Sequence, residues 1–251
     1  MKFSSIARQT LDSVGLGKPA RSTLKAYHRG RVGVQKALWD HSLFLPPLVD
    51  AAAFVECATN AIAELEGLDH DFGHYLEFGV SRGTSMAAMY RATAETGHGD
   101  IRLIGFDSFQ GLPPEAEGQG WKPGEFRSPI ASTRRYLRRQ GVDFDRTRLV
   151  KGWFSDTLTP ARVQAHGIKK ASLVMIDCDI YSAACEALDF VGPLIGDNAV
   201  VFFDDWGWSV ERGERGEKEA FDRFLKAHGP FETRELPTYF DKAKVFLVSR
   251  A

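Results

Sequence analysis

The chain has 251 residues, and 43% of them are hydrophobic, which is enough to bury one substantial core in an α/β fold of this size. Its 32 Lys and Arg residues balance 33 Asp and Glu residues, so no net field favours nucleic acid or an anionic membrane as a partner. The three cysteines form no C-x-x-C pair, which indicates neither a disulfide framework nor a structural zinc site and is typical of the reducing cytoplasm. No stretch approaches the roughly 18 uninterrupted apolar residues of a membrane span. We therefore expect a single-domain, soluble, cytoplasmic protein over residues 1–251.

The first seventy residues carry helical rather than strand signals. Pro46 and Pro47 introduce an amphipathic run from Leu48 to Leu65, in which apolar residues recur at helical spacing. We expect residues 1–70 to form a helical N-terminal cap or an oligomer contact, with a homo-oligomer as the assembly. Residues 71–251 are expected to form the catalytic α/β core.

From Tyr75 onward, short apolar strands alternate with helical segments, which is the pattern of a parallel sheet. The predicted strands are Tyr75 to Val80, Ile101 to Asp107, Arg148 to Gly152, a run ending at Asp177, a run ending at Asp204, Glu232 to Leu236 and Lys244 to Val248. The predicted helices are one ending near Ala94, Ala131 to Arg139, Ala183 to Ile195 and Glu217 to His228. Because the last two strands are adjacent, the sequence predicts a seven-stranded, mostly parallel sheet with a C-terminal antiparallel hairpin.

Two glycines, Gly79 and Gly83, lie in the turn between the first strand and its helix. They let a ligand approach the backbone, and the helix N-terminus beyond them offers N–H groups to a carboxylate or phosphate. Glu77 precedes the turn, and Asp107 ends the next strand, where an acid can accept hydrogen bonds from both hydroxyls of a ribose. The order acid-x-Gly-x-x-x-Gly lacks one glycine of the nicotinamide fingerprint. It resembles the first motif of S-adenosylmethionine-dependent methyltransferases.

The connection after the second strand, residues 108–130, is rich in Gly, Pro and acids and is long for a compact domain. It also contains Trp121. This composition is typical either of a mobile lid over an active site or of a disordered segment, and the sequence leaves both open.

Two acidic clusters close two apolar runs: Asp177-Cys178-Asp179 follows SLVMI, and Asp204-Asp205 follows AVVFF. Such runs are typical of strands buried on both faces, and ligands bind beyond the carboxyl ends of parallel strands. Carboxylates gathered at one edge repel one another unless a cation lies among them, and all-oxygen ligation favours a hard ion such as Mg²⁺. The alternative is that some of these residues only cap the helices that follow.

Five segments in order carry a family resemblance: LEFGVSRGTS, GFDSFQGLPP, KGWFSDTL, MIDCDIYSA and VFFDDW. Together they resemble the macrocin O-methyltransferase family of sugar methyltransferases over about Tyr75 to Trp206. The resemblance implies the Rossmann-like class I methyltransferase fold, S-adenosylmethionine and Mg²⁺ as cofactors, and a hydroxyl of a sugar or glycosylated natural product as the acceptor. Cys178 stands where the family motif has Gly, and Ser182-Ala183-Ala184 replaces a segment that usually has Ser-Thr, so acceptor identity stays open.

The resemblance also implies roles for individual residues. It assigns Asp177, Asp204 and Asp205 to the metal and makes Asp179 the candidate general base. Independently of the resemblance, the position of Trp206 and Trp208 just after the double acid leaves two roles equally open: stacking on a sugar ring or closing the pocket, and a purely structural role. The residues expected at the cofactor are Glu77, Gly79, Ser81 and Gly83 at its methionine part, Asp107 at its ribose, and Ser155 or Asp156 near its adenine.

Three other functions are compatible with parts of the pattern. A metal-dependent methyltransferase of a catechol-like diol would use the same chelating acids. A non-catalytic S-adenosylmethionine-binding protein would not need the repulsive carboxylates, and a nicotinamide oxidoreductase is disfavoured by the missing glycine.

Overall fold

The computed structural model describes residues 49–68, 71–119 and 121–251, and in these ranges seven strands form one sheet. They lie in the order β3-β2-β1-β4-β5-β7-β6. Strands β1 to β5 pair in parallel, whereas β7 pairs antiparallel with both β5 and β6, so the predicted sheet and its C-terminal hairpin are confirmed. The strands are β1 (His74–Phe78), β2 (Leu103–Asp107), β3 (Thr147–Lys151), β4 (Ala171–Ile176), β5 (Ile195–Phe203), β6 (Phe231–Leu236) and β7 (Lys244–Arg250).

Helices cover both faces of this sheet. The α-helices of the described residues are α1 (Ala51–Glu66), α2 (Thr84–Glu95), α3 (Ile130–Arg139), α4 (Phe154–Thr157), α5 (Pro160–Ala165), α6 (Tyr181–Val191), α7 (Trp206–Arg212) and α8 (Glu217–His228). Two short 3₁₀ helices, Pro114–Gln119 and Gly192–Leu194, lie between them.

Successive side chains of each central strand enter opposite cores, as the pleat of a strand requires. On one face, Leu173 and Met175 of β4 belong to the same apolar cluster as Phe54 of α1. On the other face, Val174 belongs to a second cluster with Leu188 of α6. Because both faces are covered, the strand sequences are continuously apolar rather than alternating.

Most predicted boundaries differ from the structure by no more than a few residues, and the largest difference is at the end of α6. The helix expected to continue to Ile195 ends at Val191, where Gly192 and Pro193 follow. Proline has no N–H to continue the helical ladder, and Ile195 instead opens β5. The sequence also does not predict α7, which begins directly after the double acid.

Most of the predicted N-terminal cap lies outside the described residues, namely residues 1–48 and residues 69 and 70. Between these ranges, Asp50 caps α1 by accepting the N–H groups of Ala52 and Ala53. Helix α1 packs against α2 and β5 and so forms part of the layer that covers the sheet. The single domain and the homo-oligomer stay predictions. Within the described ranges, no helix combines the length and the apolar character needed to cross a bilayer.

Candidate active site

A cavity of about 640 Å³ opens at the carboxyl ends of the parallel strands, a volume typical of small-molecule sites. Asp177 and Asp179 line it after β4, and Asp204 and Asp205 line it after β5. Strands β4 and β5 are neighbours in the sheet. The two acidic clusters therefore meet at one edge.

Hydrogen bonds hold these acids in place. The Asp179 N–H donates to Asp205 Oδ2 over 3.2 Å, and the Tyr239 hydroxyl donates to Asp204 Oδ1 over 2.5 Å. The Asp205 N–H donates to Glu217 Oε2 over 2.9 Å. The sequence does not predict Tyr239 or Glu217 as site residues, because each arrives from a later element without a recognisable motif.

Burial and mutual repulsion raise the pKa values of the clustered carboxyls. For Asp177 burial is the largest cause, and the charges of Asp204, Asp205 and Asp179 add to it. Burial is also the largest cause that raises the pKa of Asp179, and the charges of Asp205 and Asp204 raise it further. Glu217 is 1% exposed, its Oε1 has no hydrogen-bond partner, and burial together with Asp205 raises its pKa well above the usual range. A bound cation would relieve this repulsion.

The donor set fits a hard divalent cation by its chemistry, because all its oxygens belong to carboxylates. In the part of the chain that the structure describes, no three Asp, Glu, His or Cys side chains are already arranged to hold a metal ion. One oxygen of Asp204 is meanwhile engaged by Tyr239. Asp204 would therefore ligate through its other oxygen, and the neighbouring carboxylates would rotate toward the same point, so the metal role of Asp177, Asp204 and Asp205 stays a prediction.

The glycine loop follows β1, at the point between β1 and β4 where the order of successive strands in the sheet reverses. Gly79 has a φ of 93°, and a Cβ at this position would lie 1.6 Å from the Asp177 carbonyl oxygen. The Asp177 N–H donates to the Phe78 carbonyl over 2.9 Å. The loop after β1 thus packs directly on the first acid after β4, and this contact requires glycine.

Asp107 braces the same loop. Its Oδ2 accepts the N–H groups of Val80 and Ser81 over 2.9 and 2.7 Å, and its Oδ1 accepts that of Phe109. Ser81 and Phe109 have φ values of 44° and 55°, a left-handed conformation that these bonds help to stabilise. A carboxylate offers about four acceptor positions, so Asp107 keeps capacity for a ligand in the cavity that it lines.

The cofactor residues expected from the sequence divide into two groups. Those that line the cavity are Gly79, Ser81, Asp107 and Ser155. Those that do not are Glu77, Gly83 and Asp156. Gly83 instead begins α2 with a φ of 81°, and a Cβ there would contact Leu137.

Glu77, the residue two before Gly79, is fully buried. Its oxygens accept the hydroxyls of Tyr75 and Ser85 over 2.6 and 2.8 Å. Burial raises the pKa of Glu77 to about 8. Its contact with a cofactor stays a prediction, whereas these bonds join β1 to the first turn of α2, on either side of the glycine loop.

The connection between β2 and α3 is folded over the cavity in its described part. The Leu112 N–H donates to the Glu125 carbonyl, and the Gly124 N–H donates to the Leu112 carbonyl, over 2.9 and 2.8 Å. Trp121 Nε1 donates to the Asp179 carbonyl over 3.1 Å. We call residues 108–126 the covering segment. Its two ends are joined by the bonds between Leu112, Gly124 and Glu125, and its Trp121 contacts Asp179, the candidate general base.

The two tryptophans after the double acid have different surroundings. Trp206 packs its ring against Phe203 and Phe246, with both centroids 5.1 Å away. Trp208 lines the cavity and is 40% exposed. Trp208 can therefore contact an acceptor, while Trp206 is partly buried and packs against the core.

Residues 55–232 match the macrocin O-methyltransferase (TylF) family, and this range includes the glycine loop and both acidic clusters. The chain belongs to this family. The family resemblance expected from the five segments is thereby confirmed.

Curated and solved relatives agree with this family assignment. The chain is 29% identical over 146 residues to 8-demethyl-8-(2,3-dimethoxy-alpha-L-rhamnosyl)-tetracenomycin-C 4'-O-methyltransferase from Streptomyces olivaceus. This match spans 53% of the chain and 53% of the relative, about half the length of each. The O-methyltransferase NovP is similar in structure, with a TM-score of 0.60 at 22% identity over 79% of this chain and 80% of NovP. The calicheamicin methyltransferase CalS11 gives a TM-score of 0.59 at 20% identity over 76% of this chain and 77% of CalS11, and both likenesses show the class I methyltransferase fold.

Proposed function

We propose that this member of the macrocin O-methyltransferase family is an S-adenosylmethionine- and Mg²⁺-dependent O-methyltransferase that acts on a sugar hydroxyl of a glycosylated natural product. The observation that carries the proposal is that the glycine loop, Asp107 and the four aspartates after β4 and β5 line one and the same cavity. The Streptomyces olivaceus relative is named for methylation of a rhamnosyl tetracenomycin, which supports a sugar hydroxyl as the acceptor.

Residues that follow β1, β2 and β3 line one half of the cavity, which we call the donor half because it would hold the methyl donor. S-adenosylmethionine supplies an electrophilic methyl group when it is bound there. Gly79 and Ser81 leave room for its methionine part, and the N-terminus of α2 at Thr84 favours a carboxylate. Asp107 and Ser155 also line the cavity. Asp107 would accept hydrogen bonds from the ribose hydroxyls, and Ser155 would contact the adenine.

Residues that follow β4 and β5 line the other half, which we call the acceptor half because it would hold the hydroxyl to be methylated. Asp177, Asp204 and Asp205 would hold Mg²⁺, and its charge would make a nearby hydroxyl more acidic. When a methyl group replaces the hydroxyl hydrogen, a proton must leave the acceptor, and Asp179 takes it. The Asp179 backbone is fixed on both sides, by Asp205 at its N–H and by Trp121 at its carbonyl, which supports this assignment. A positioned base of this kind contributes about 10²–10⁴-fold to the rate.

Asp204→Asn tests the metal-dependent function. We expect methyl transfer to a panel of rhamnosides to fall at least about 100-fold, because the carboxylate charge that holds Mg²⁺ is lost. Binding of S-adenosylmethionine, measured by calorimetry, should change less than about 2-fold, because Asp204 lies in the other half of the cavity. The assay uses labelled S-adenosylmethionine with Mg²⁺ or with a chelator.

Asp197→Asn is the matched control, because Asp197 lies near the opposite end of the same strand and is exposed. It should retain the wild-type rate. Full turnover by Asp204→Asn in chelator would overturn the metal role. Methylation of catechols with none of the rhamnosides would replace the sugar acceptor by a diol.

A further inference from the structure

A buried acid lies behind the double acid of the acceptor half. Glu217 is the first residue of α8, is 1% exposed and does not line the cavity. Its Oε2 accepts the Asp205 N–H over 2.9 Å, whereas its Oε1 has no hydrogen-bond partner among the described residues. A buried carboxyl with an unpartnered oxygen costs stability, so its place in the fold calls for a functional reason.

Hydrogen bonds continue from Glu217 to the candidate general base. The Asp179 N–H donates to Asp205 Oδ2 over 3.2 Å, and Trp121 Nε1 donates to the Asp179 carbonyl over 3.1 Å. Together with the bond from the Asp205 N–H to Glu217, these contacts form one hydrogen-bond chain. A candidate metal ligand and the candidate base are therefore consecutive members of the same chain.

The backbone of Asp179 needs this support. Its φ is 62°, in the left-handed region, which costs free energy in a residue that carries a side chain. The acceptor of its N–H is the Asp205 carboxylate, so a shift of Asp205 would remove one of the two bonds that hold the Asp179 backbone. The Asp179 carboxyl would then no longer be held at one position in the cavity.

The other end of the hydrogen-bond chain is anchored in the core. Glu217 opens α8, and Phe221 and Phe224, about one and two turns later, are buried in the cluster on that face of the sheet. Helix α8 packs against α6, which begins two residues after Asp179. Glu217 therefore fixes Asp205 relative to the same packed helices that carry Asp179.

On the basis of the proposed function, we infer that Glu217 is a positioning residue for methyl transfer. It holds the Asp205 backbone, and Asp205 in turn holds the Asp179 backbone, so a metal ligand and the base keep a fixed separation. The role requires the oxygen that accepts the Asp205 N–H. It does not require the negative charge of Glu217.

Two substitutions separate the hydrogen bond from the charge. Glu217→Gln keeps a side-chain oxygen for the Asp205 N–H, whereas Glu217→Leu removes both the oxygen and the charge. Amide hydrogen exchange is measured by NMR in the metal-free protein. In Glu217→Leu, exchange of the Asp205 and Asp179 amides should accelerate at least about 5-fold, because the chain loses its anchor. In Glu217→Gln, both amides should exchange within about 2-fold of the wild-type rate.

Metal binding and turnover test the consequence for the reaction. Calorimetry with Mg²⁺ should show binding about 10-fold weaker in Glu217→Leu and within about 3-fold of the wild type in Glu217→Gln. In the assay with labelled S-adenosylmethionine and the rhamnoside panel, Glu217→Leu should lower kcat and leave the KM for S-adenosylmethionine within about 2-fold. A residue that only supports the fold would not separate kcat from KM or be rescued by Gln.

Asp222→Leu is the matched control, because Asp222 is an exposed acid on the same helix. It should match the wild type in exchange and in Mg²⁺ affinity. Faster exchange of the Asp205 amide in Glu217→Gln would overturn the hydrogen-bond role, even if Glu217→Leu does not fold. Faster exchange at Asp205 with none at Asp179 would overturn the connection to the base. Because exchange is measured without metal or acceptor, a wild type that binds no Mg²⁺ would contradict the proposed function and not the hydrogen-bond chain.

Discussion

Tyr239 is the residue that most directly controls the orientation of a candidate metal ligand. Its hydroxyl donates to Asp204 Oδ1, and its ring packs edge-on against Phe54 with a centroid distance of 4.7 Å. The ring contact fixes the hydroxyl, and the hydroxyl fixes the carboxylate. Partners of this kind set the direction of a ligand and so affect metal affinity without touching the metal.

Tyr239→Phe should weaken Mg²⁺ binding about 10-fold or more, because the Asp204 carboxylate gains rotational freedom that binding must then remove. The ring and its contact with Phe54 are retained, so the melting temperature should change little. Calorimetric titration of the variant with Mg²⁺ measures the effect. Tyr90→Phe is the control, because Tyr90 lies on α2 with its ring against the Arg146 guanidinium. Unchanged or tighter Mg²⁺ binding in Tyr239→Phe would contradict the positioning role.

At the scale of elements, the covering segment is tied to the site at two places. Gln119 and Ser182 bond each other twice, once from Gln119 Nε2 to the Ser182 hydroxyl over 3.0 Å and once from the Ser182 N–H to Gln119 Oε1. Trp121 bonds the Asp179 carbonyl. The two ends of the covering segment meet at Gly111, which has a φ of 86°. A Cβ at Gly111 would lie 2.3 Å from the Glu125 carbonyl oxygen.

Gly111→Ala should open the base of the covering segment, because the new methyl group overlaps the Glu125 carbonyl and the left-handed φ adds strain. We expect amide hydrogen exchange at residues 111–125 to accelerate about 5-fold or more, because the local cost is about 1–3 kcal/mol. Gly118→Ala lies in the same segment with no atom within 4 Å of the new Cβ, so its exchange should match the wild type. Equal exchange in both variants would show that Gly111 does not close the segment.

The elements predicted from the sequence are those whose signal is local. Continuous apolar runs mark β4 and β5, and the helix predicted from Glu217 to His228 is α8 in the structure. The acids after the strands are equally visible, because a strand end and a charged residue are neighbours in the chain. The short helix α7 gives no such signal, since WGWSVER has neither a side-chain cap bond nor the length for a clear period.

Contacts between distant segments explain what the sequence does not predict. Tyr239 meets Asp204 from the β6–β7 turn, and Glu217 meets Asp205 from the start of α8. The first pair forms only when the antiparallel hairpin closes on β5, and the second forms only when α8 packs against α7. Neither pair can be predicted from spacing in the sequence. Glu77 shows the converse, because its motif suggests a ligand contact while the fold buries it.

At the scale of the whole molecule, the buried carboxyls make stability depend on pH. Burial is the first cause of the raised pKa values of Glu77, Asp177, Asp179 and Glu217. Between its ordinary pKa and the raised one, such a group keeps its proton in the folded state but loses it in the unfolded state. The folded state therefore binds more protons in this range, and the free energy of unfolding falls as pH rises.

Glu77→Gln isolates one part of this dependence. With the pKa of Glu77 raised from 4.5 to about 8, the wild type should lose about 2 kcal/mol from this group between pH 6 and pH 8 without Mg²⁺. The variant should lose none of that share, so its melting temperature should fall roughly 4–8 °C less over the same range. Glu95→Gln, on the exposed side of α2, should follow the wild type. Parallel melting curves for wild type and Glu77→Gln would show that Glu77 is already ionised in the folded protein. Mg²⁺ should flatten the wild-type curve, because it would favour the ionised form of the aspartates and leave the carboxyls of Glu77 and Glu217 as the remaining buried acids.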